Sequence, residues 1–435
     1  MSQKINNSYI KILKYELVPA LGCTEPGAIA YAAAKAVSVL EEFPIKIEIK
    51  CSGNIVKNVK GVVVPNSGGL RGIEAATILG AIAGTLDTKH ILGNDSENKL
   101  EILDAITETD RIKAKELLST DFCKCRLQEG ESNLYIDVIA KTEEHSARVV
   151  VKDSHTNIIL IKKDDKTIFE KEGLEKNIDI EETKKLLNVK DIIAFADTVN
   201  IEEVKPILDY QIYVNTAIAE EGLKNEYGAS VGKTLLESYG DDIKVRAKAK
   251  AAAGSDARMG GSSMPVVINS GSGNQGITVT VPVVEYAKEL GVDDDKMYRA
   301  LVISNLISIH IKQYIGKLSA FCGAVSAACG SGAAITYLHG GTFEDISSTI
   351  INTVCNVGGI VCDGAKASCA AKIASALDAA IMGHNMTLQK RKFQEGEGIV
   401  TGDIEKTIQN IGHIGREGMK ETDNEILHLM IGDIN

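Results

Sequence analysis

The stretch from Phe321 to Leu338 carries no charged side chain and is built mainly from Ala, Gly, Ser and Cys. A membrane-spanning helix needs roughly 20 predominantly apolar residues, and this run lacks the Leu and Ile that make such a helix. It reads instead as a helix covered by protein on every side. Its neighbours must therefore approach closely. The composition allows this: 435 residues include 40 Gly and no Trp, and aromatics make up only 4%. Such a core packs helix backbones against one another instead of filling space with rings. The expectation is a tight bundle, whose Ala/Gly helices would also suit a homodimer interface.

A bundle does not describe the whole chain. From about 178 the pattern is helical nearly to the end, over 181–187, 199–225, 229–238, 241–253, 293–311, 321–338, 343–358, 366–383, 403–413 and 416–431, with Gly-rich breaks at 254–276, 339–341 and 359–364. Before 175 the texture differs. Helices are expected at 8–18, 27–42, 73–84 and 97–118. Residues 45–51 alternate as a strand, and 133–140, 146–152, 157–162 and 166–170 read as a meander. The fold class is α+β: a mixed N-terminal α/β part over 1–175, and a large all-helical domain over 176–435. The length accommodates two domains.

Net charge is −11 with no long basic run, which argues against nucleic acid or an anionic membrane as partner. A small-molecule substrate fits better. The first residues lack the apolar core of a signal peptide, and nine cysteines, an odd number, do not suggest a disulfide framework. Reduced cytoplasm is the expected setting, where cysteines are core fillers, metal ligands or catalytic thiols.

Cys362 and Cys369 lie seven apart, as do Cys322 and Cys329. Seven residues of helix span roughly 10 Å, too far for two ligands of one compact cluster. If Cys362 and Cys369 share a metal group, Asp363-Gly364 must break the chain, leaving Cys362 in a loop and Cys369 near a helix start. The run 321–338 looks continuously helical, so Cys322, nearer its start, is the better ligand and Cys329 the core residue. On spacing alone all four can equally be small buried residues. Cys123 and Cys125 read as a pair on one strand face, and Cys51 and Cys355 as core. Cys23 precedes a capped helix start, Thr24-Glu25-Pro26, where the helix dipole lowers a thiol pKa. It is a candidate base or fourth ligand, or else a small residue in a tight turn.

Two glycine-rich turns can present main-chain N–H groups to an anion. One is Asn66-Ser67-Gly68-Gly69 with Arg71 beside it, and the other is Ser270-Gly271-Ser272-Gly273-Asn274-Gln275-Gly276. Asn274 and Gln275 suit an amino or carboxylate group, and Arg71 or Lys366 could pair a carboxylate. The second turn fits the dinucleotide pattern Gly-x-Gly-x-x-Gly, but Thr280 and Pro282 make a poor crossover helix and no Rossmann alternation surrounds it. His339 and His384 read as helix-end residues.

Four motifs in order, Gly22-Cys23-Thr24-Glu25-Pro26, Ser270–Gly276, Phe321-Cys322-Gly323-Ala324 and Cys362-Asp363-Gly364-Ala365-Lys366, give the chain a resemblance to the iron–sulfur L-serine dehydratase alpha-chain superfamily. Within it, the L-cysteine desulfidases and their bacterial relatives are most similar. The resemblance implies a [4Fe–4S] cluster on Cys322, Cys362 and Cys369 with one open iron, and a functional Cys23. It also implies α,β-elimination on a small amino acid without pyridoxal phosphate. The products would be pyruvate, ammonia and either hydrogen sulfide, from L-cysteine, or water, from L-serine. A non-catalytic amino-acid-binding protein or a zinc protein are the readings from other classes.

Overall fold

The computed structural model describes residues 3–21, 24–85, 99–171, 178–316 and 319–432. In the N-terminal part, alternating Ile and Val make six strands: β2 (Lys46–Cys51), β3 (Cys123–Leu127), β4 (Tyr135–Lys141), β5 (Ser146–Lys152), β6 (Ile158–Lys163) and β7 (Lys166–Glu170). The sheet order is β3-β2-β4-β5-β6-β7. The last four strands form the expected antiparallel meander. β3 joins β2 in parallel, with Ile47 opposite Cys123 and Ile49 opposite Cys125. A parallel neighbour needs a long crossover, here the segment carrying α3 (Gly53–Val59), α4 (Gly72–Ala83) and α5 (Glu108–Leu118). The 97–118 segment read as one helix is a 3-10 turn at Lys99–Ala105 followed by α5, which Thr107 and Asp110 start with a capping box.

One sheet face buries Ile47, Ile49, Ile136, Val138, Val149 and Val151 against α2 (Thr24–Leu40). α4 lies on α2 so closely that a Cβ on Gly80 would stand 2.3 Å from the Ala30 carbonyl oxygen. Only glycine permits that approach. On the opposite face Asp137 is buried, and Arg148 satisfies it with two hydrogen bonds of 2.9 Å.

The remaining helices are α6 (Ile178–Lys184), α7 (Val189–Thr198), α8 (Lys205–Lys224), α9 (Val231–Tyr239), α10 (Ile243–Met259), α11 (Gly273–Leu290), α12 (Asp294–Ile315), α13 (Gly323–Leu338), α14 (Phe343–Val357), α15 (Cys369–Leu388), α16 (Ile404–His413) and α17 (Lys420–Ile431). The uncharged helix α13 is the hub, surrounded by α11, α12, α14 and α15. A Cβ on its Gly330 would meet the Ser304 carbonyl oxygen at 2.3 Å. Helix α1 (Gln3–Glu16) belongs to this core, with Tyr9 edge-on to Phe195 at 5.3 Å between ring centroids. The short strand β1 (Pro19–Leu21) pairs with β8 (Pro265–Val267), so the chain entering α2 lies beside the chain leading to α11. Among the described residues no helix is long and apolar enough to cross a membrane.

Besides α3, which the sequence reading did not include, two helices of the bundle depart from the expectation. α7 was not expected; the Asn188 side chain starts it by accepting from the Asp191 N–H at 2.8 Å. α11 runs straight through Thr280 and Pro282. A proline lacks the N–H that would reach the carbonyl four residues back, here that of Thr278. The hydroxyl of Ser331, on α13, donates to that carbonyl at 2.5 Å. The bundle thereby supplies from another helix the hydrogen bond that the sequence removes.

Candidate active site

Residues 320–322 and 360–362 come together as a short antiparallel bridge. The Cys322 N–H donates to the Ile360 carbonyl at 3.0 Å, and the Cys362 N–H to the Ala320 carbonyl at 2.6 Å, either side of the Phe321–Val361 pair. Residues two apart share a strand face, so both side chains project the same way, and the two thiols are close enough to set each other's ionisation. The chain then turns at Gly364, with φ of 94°, where a Cβ would come 2.2 Å from the Lys57 carbonyl oxygen. Asp363 pins the loop by pairing with Lys366 at 3.2 Å and with Lys372. Cys369 is the first residue of α15, its thiol 3.6 Å from the Gly364 carbonyl oxygen. The broken loop and helix start expected from the seven-residue spacing are thus present.

Cys322, Cys362 and Cys369 line one cavity of about 130 Å³, a volume suited to a ligand of few atoms. Four helices begin at its wall: α2 at Thr24, α11 after its N-cap Ser272, α13 after its N-cap Cys322, and α15 at Cys369. Each helix N-terminus carries about half a positive charge and unpaired N–H groups. Three buried cations join them, Lys57, Arg258 and Lys312, which are 3, 4 and 5% exposed. Glu25 is the carboxylate among the described lining residues. It accepts from Asn58 at 3.2 Å and from the Thr24 hydroxyl at 3.1 Å. The cavity therefore favours anions.

The thiols respond to this field. The hydrogen bond from Cys322 does most to pull the Cys362 thiol down to about 5; the Lys57 charge, the Gly364 N–H and the Lys312 charge add to it. Cys322, the donor of that pair, is pushed well up by the hydrogen bond, by burial and by the charge on Cys362. Burial raises Cys369 as well, against the Lys366 N–H and the charges of Lys372 and Arg258. Burial lowers Lys312 to about 8, against the charges of Cys362 and Cys322, which favour its ammonium.

Of the residues singled out in the sequence, Ser270, Gly271, Ser272, Asn274 and Gln275 line the cavity with the three cysteines. Asn274 accepts from Arg258 Nη1 at 3.2 Å, and Gln275 accepts from Ser326 at 3.4 Å. The first glycine-rich turn does not line it. Asn66 donates to the carbonyls of Leu103 and Ile106, Ser67 to that of Leu70, and Arg71 to that of Gly61. These groups hold their own turn together. Lys366 is turned to Asp363 and is also absent from the wall. Cys23 lies outside the described residues. Cys329 is buried in α13 and away from the cavity, and Cys51, Cys123 and Cys125 pack in the sheet core.

Glu25, Lys57, Asn58, Arg258 and Lys312 were not foreseen. The clearest signal was Lys312, a charge in the otherwise apolar run Leu306-Ile307-Ser308-Ile309-His310-Ile311 that precedes it.

Three soft thiolate donors in a buried, cationic cavity fit an iron–sulfur cluster, whose ligands are cysteine thiolates. Among the described residues, no three His, Cys, Asp or Glu side chains are grouped to hold a single metal ion. Residues 97–428 match the family described as serine dehydratase alpha chain. The chain belongs to that family. A UPF0597 protein of Lachnoclostridium phytofermentans is 54% identical over 422 residues, covering 97% of this chain and 99% of its own length. Similar proteins occur in Desulfitobacterium hafniense, 50% identical over 98% of this chain and 96% of the relative, and in Treponema denticola, 46% identical over 98% of each. Membership places the chain in a lyase superfamily of the serine dehydratase type.

Proposed function

We propose that the protein is an iron–sulfur-dependent lyase that eliminates hydrogen sulfide from L-cysteine, leaving pyruvate and ammonia. The observation that carries this reading is the convergence of Cys322, Cys362 and Cys369 in one small cationic cavity. The family is usually associated with iron–sulfur enzymes. In this reading those three residues hold a [4Fe–4S] cluster. When bound, its open iron supplies a Lewis acid for the departing sulfur.

The chain's own residues supply the rest. The N–H groups of Ser270, Gly271 and the start of α11 receive an anion, and Asn274 and Gln275 orient it. Glu25 faces the substrate ammonium. Cys23 takes the α-proton; it directly precedes Thr24 and Glu25, which line the cavity, and the α2 dipole favours its thiolate. Loss of that proton and of the β-thiol gives aminoacrylate, which water converts to pyruvate and ammonia. The buried wall limits premature access of bulk water.

The second reading is dehydration of L-serine, favoured by the family description itself. Protein prepared and reconstituted without oxygen decides between them. Sulfide release from L-cysteine exceeding pyruvate release from L-serine supports the first, and the reverse order supports the second. Iron and labile sulfide should be present, and one zinc in their place refutes both.

A further inference from the structure

The geometry points to Lys312 as the anchor for the substrate's α-carboxylate. This rests on the amino-acid lyase reading above and names the grip which that reading leaves open. Lys312 reaches the cavity from the last turn of α12, a helix otherwise buried along this stretch. Among the described residues its ammonium makes no ion pair and no hydrogen bond. The other two cavity cations each have a side-chain partner. Lys57 pairs with Asp423 of α17. Arg258 donates through Nη1 to Asn274, and its Nε is buried without a partner.

A buried, unpaired ammonium is costly unless something binds it. The end of α12 and the charges of Cys362 and Cys322 favour its ammonium, but among the described residues no carboxylate pairs with it. Ser270 and Gly271 line the same cavity, and main-chain N–H groups at such a turn recognise the same chemistry. A carboxylate between Lys312 and this turn gains a charge-assisted hydrogen bond. Arg71 and Lys366, the cations that the sequence offered for this role, are held elsewhere.

The test uses the full chain, reconstituted without oxygen, as wild type, Lys312→Met and Lys312→Arg. Iron, sulfide and thermal midpoint are measured for each. Calorimetric titration compares L-alanine, which has the carboxylate and ammonium but nothing to eliminate, with ethylamine, which lacks the carboxylate. Lys312→Met should weaken L-alanine binding roughly 100-fold and leave ethylamine unchanged, and Lys312→Arg should restore part of the loss. KM for the turned-over substrate should rise more than kcat falls. The proposal is overturned if wild type does not bind L-alanine, if Lys312→Met binds it as wild type does, or if kcat alone collapses. It is equally overturned if Lys312→Met loses iron while Lys312→Arg keeps it, which would make the lysine a partner of the cluster. Lysine-dependent binding of L-alanine without turnover of L-cysteine or L-serine would remove the lyase reading and leave the anchor standing.

Discussion

The hydroxyl of Ser331 donates to the main-chain carbonyl of Thr278 across the α11–α13 interface. That carbonyl is the acceptor which Pro282 cannot serve, so a side chain on one helix completes the backbone of its neighbour. Ser331→Ala should leave a buried carbonyl unsatisfied at a cost of about 1–3 kcal/mol, read as a lower urea midpoint. Adding Pro282→Ala restores an N–H to α11 and should recover much of the loss. Equal midpoints for wild type and the single variant would show that the bond contributes nothing.

Gly364 serves the site in two ways, by its positive φ and by the room it leaves for the Lys57 carbonyl. Gly364→Ala should displace the loop that carries Cys362, costing about 1–3 kcal/mol in backbone strain alone. Iron retained after anaerobic reconstitution should fall sharply. Normal loading in this variant would mean that the loop yields without moving the cysteine.

In iron-free protein Cys362 should be the first thiol to react. Its pKa near 5 means that the thiolate, the reactive form, is present above about pH 5 and disappears as pH falls through that value. Ordinary thiols ionise near 8.5. Alkylation at pH 6.5 followed by peptide mapping should mark Cys362 ahead of Cys322 and Cys369. Lys57→Met should move its half-maximal pH upward, and uniform labelling of all three cysteines would contradict the assigned field.

His384 gives a second pH effect, away from the cavity. Burial and the neighbouring His339 hold it down to about 4, its ring 4.5 Å from that of His339. The unfolded chain takes up this proton near pH 6.5 while the native chain does not, so stability falls as pH drops from about 6.5 toward 4. The full loss is roughly 3 kcal/mol. Urea midpoints across this range should show the slope in wild type and a shallower one in His384→Gln.

The meander was legible because its signals are local: alternating Val and Ile between polar turns, with β5 and β7 falling where the pattern put them. The loop between Cys362 and Cys369 was legible from helix rise once the two were taken to share one metal group. Helix α11 was not, because Pro282 is unfavourable by every local rule and the compensation comes from Ser331, 49 residues later. The first glycine-rich turn misled for a related reason. Asn66 and Ser67 looked like ligand-binding groups, but their side chains are taken up by main-chain carbonyls and by Arg111 of the protein itself. Lys57 and Arg258 are common residues in unremarkable local settings, and only tertiary packing gathers their charges with that of Lys312.

The bridge between residues 320–322 and 360–362, with walls drawn from 24–25, 57–58, 258–275 and 312, bears on the order of events in biogenesis. No fragment of the chain holds more than part of the cavity, and the Lys57–Asp423 pair closes only when the last helix has docked. Such long-range assembly is late and slow. A nascent or truncated chain would offer isolated cysteines to the cellular iron supply but no enclosure for it, so metal loading would act as a readout of completed folding.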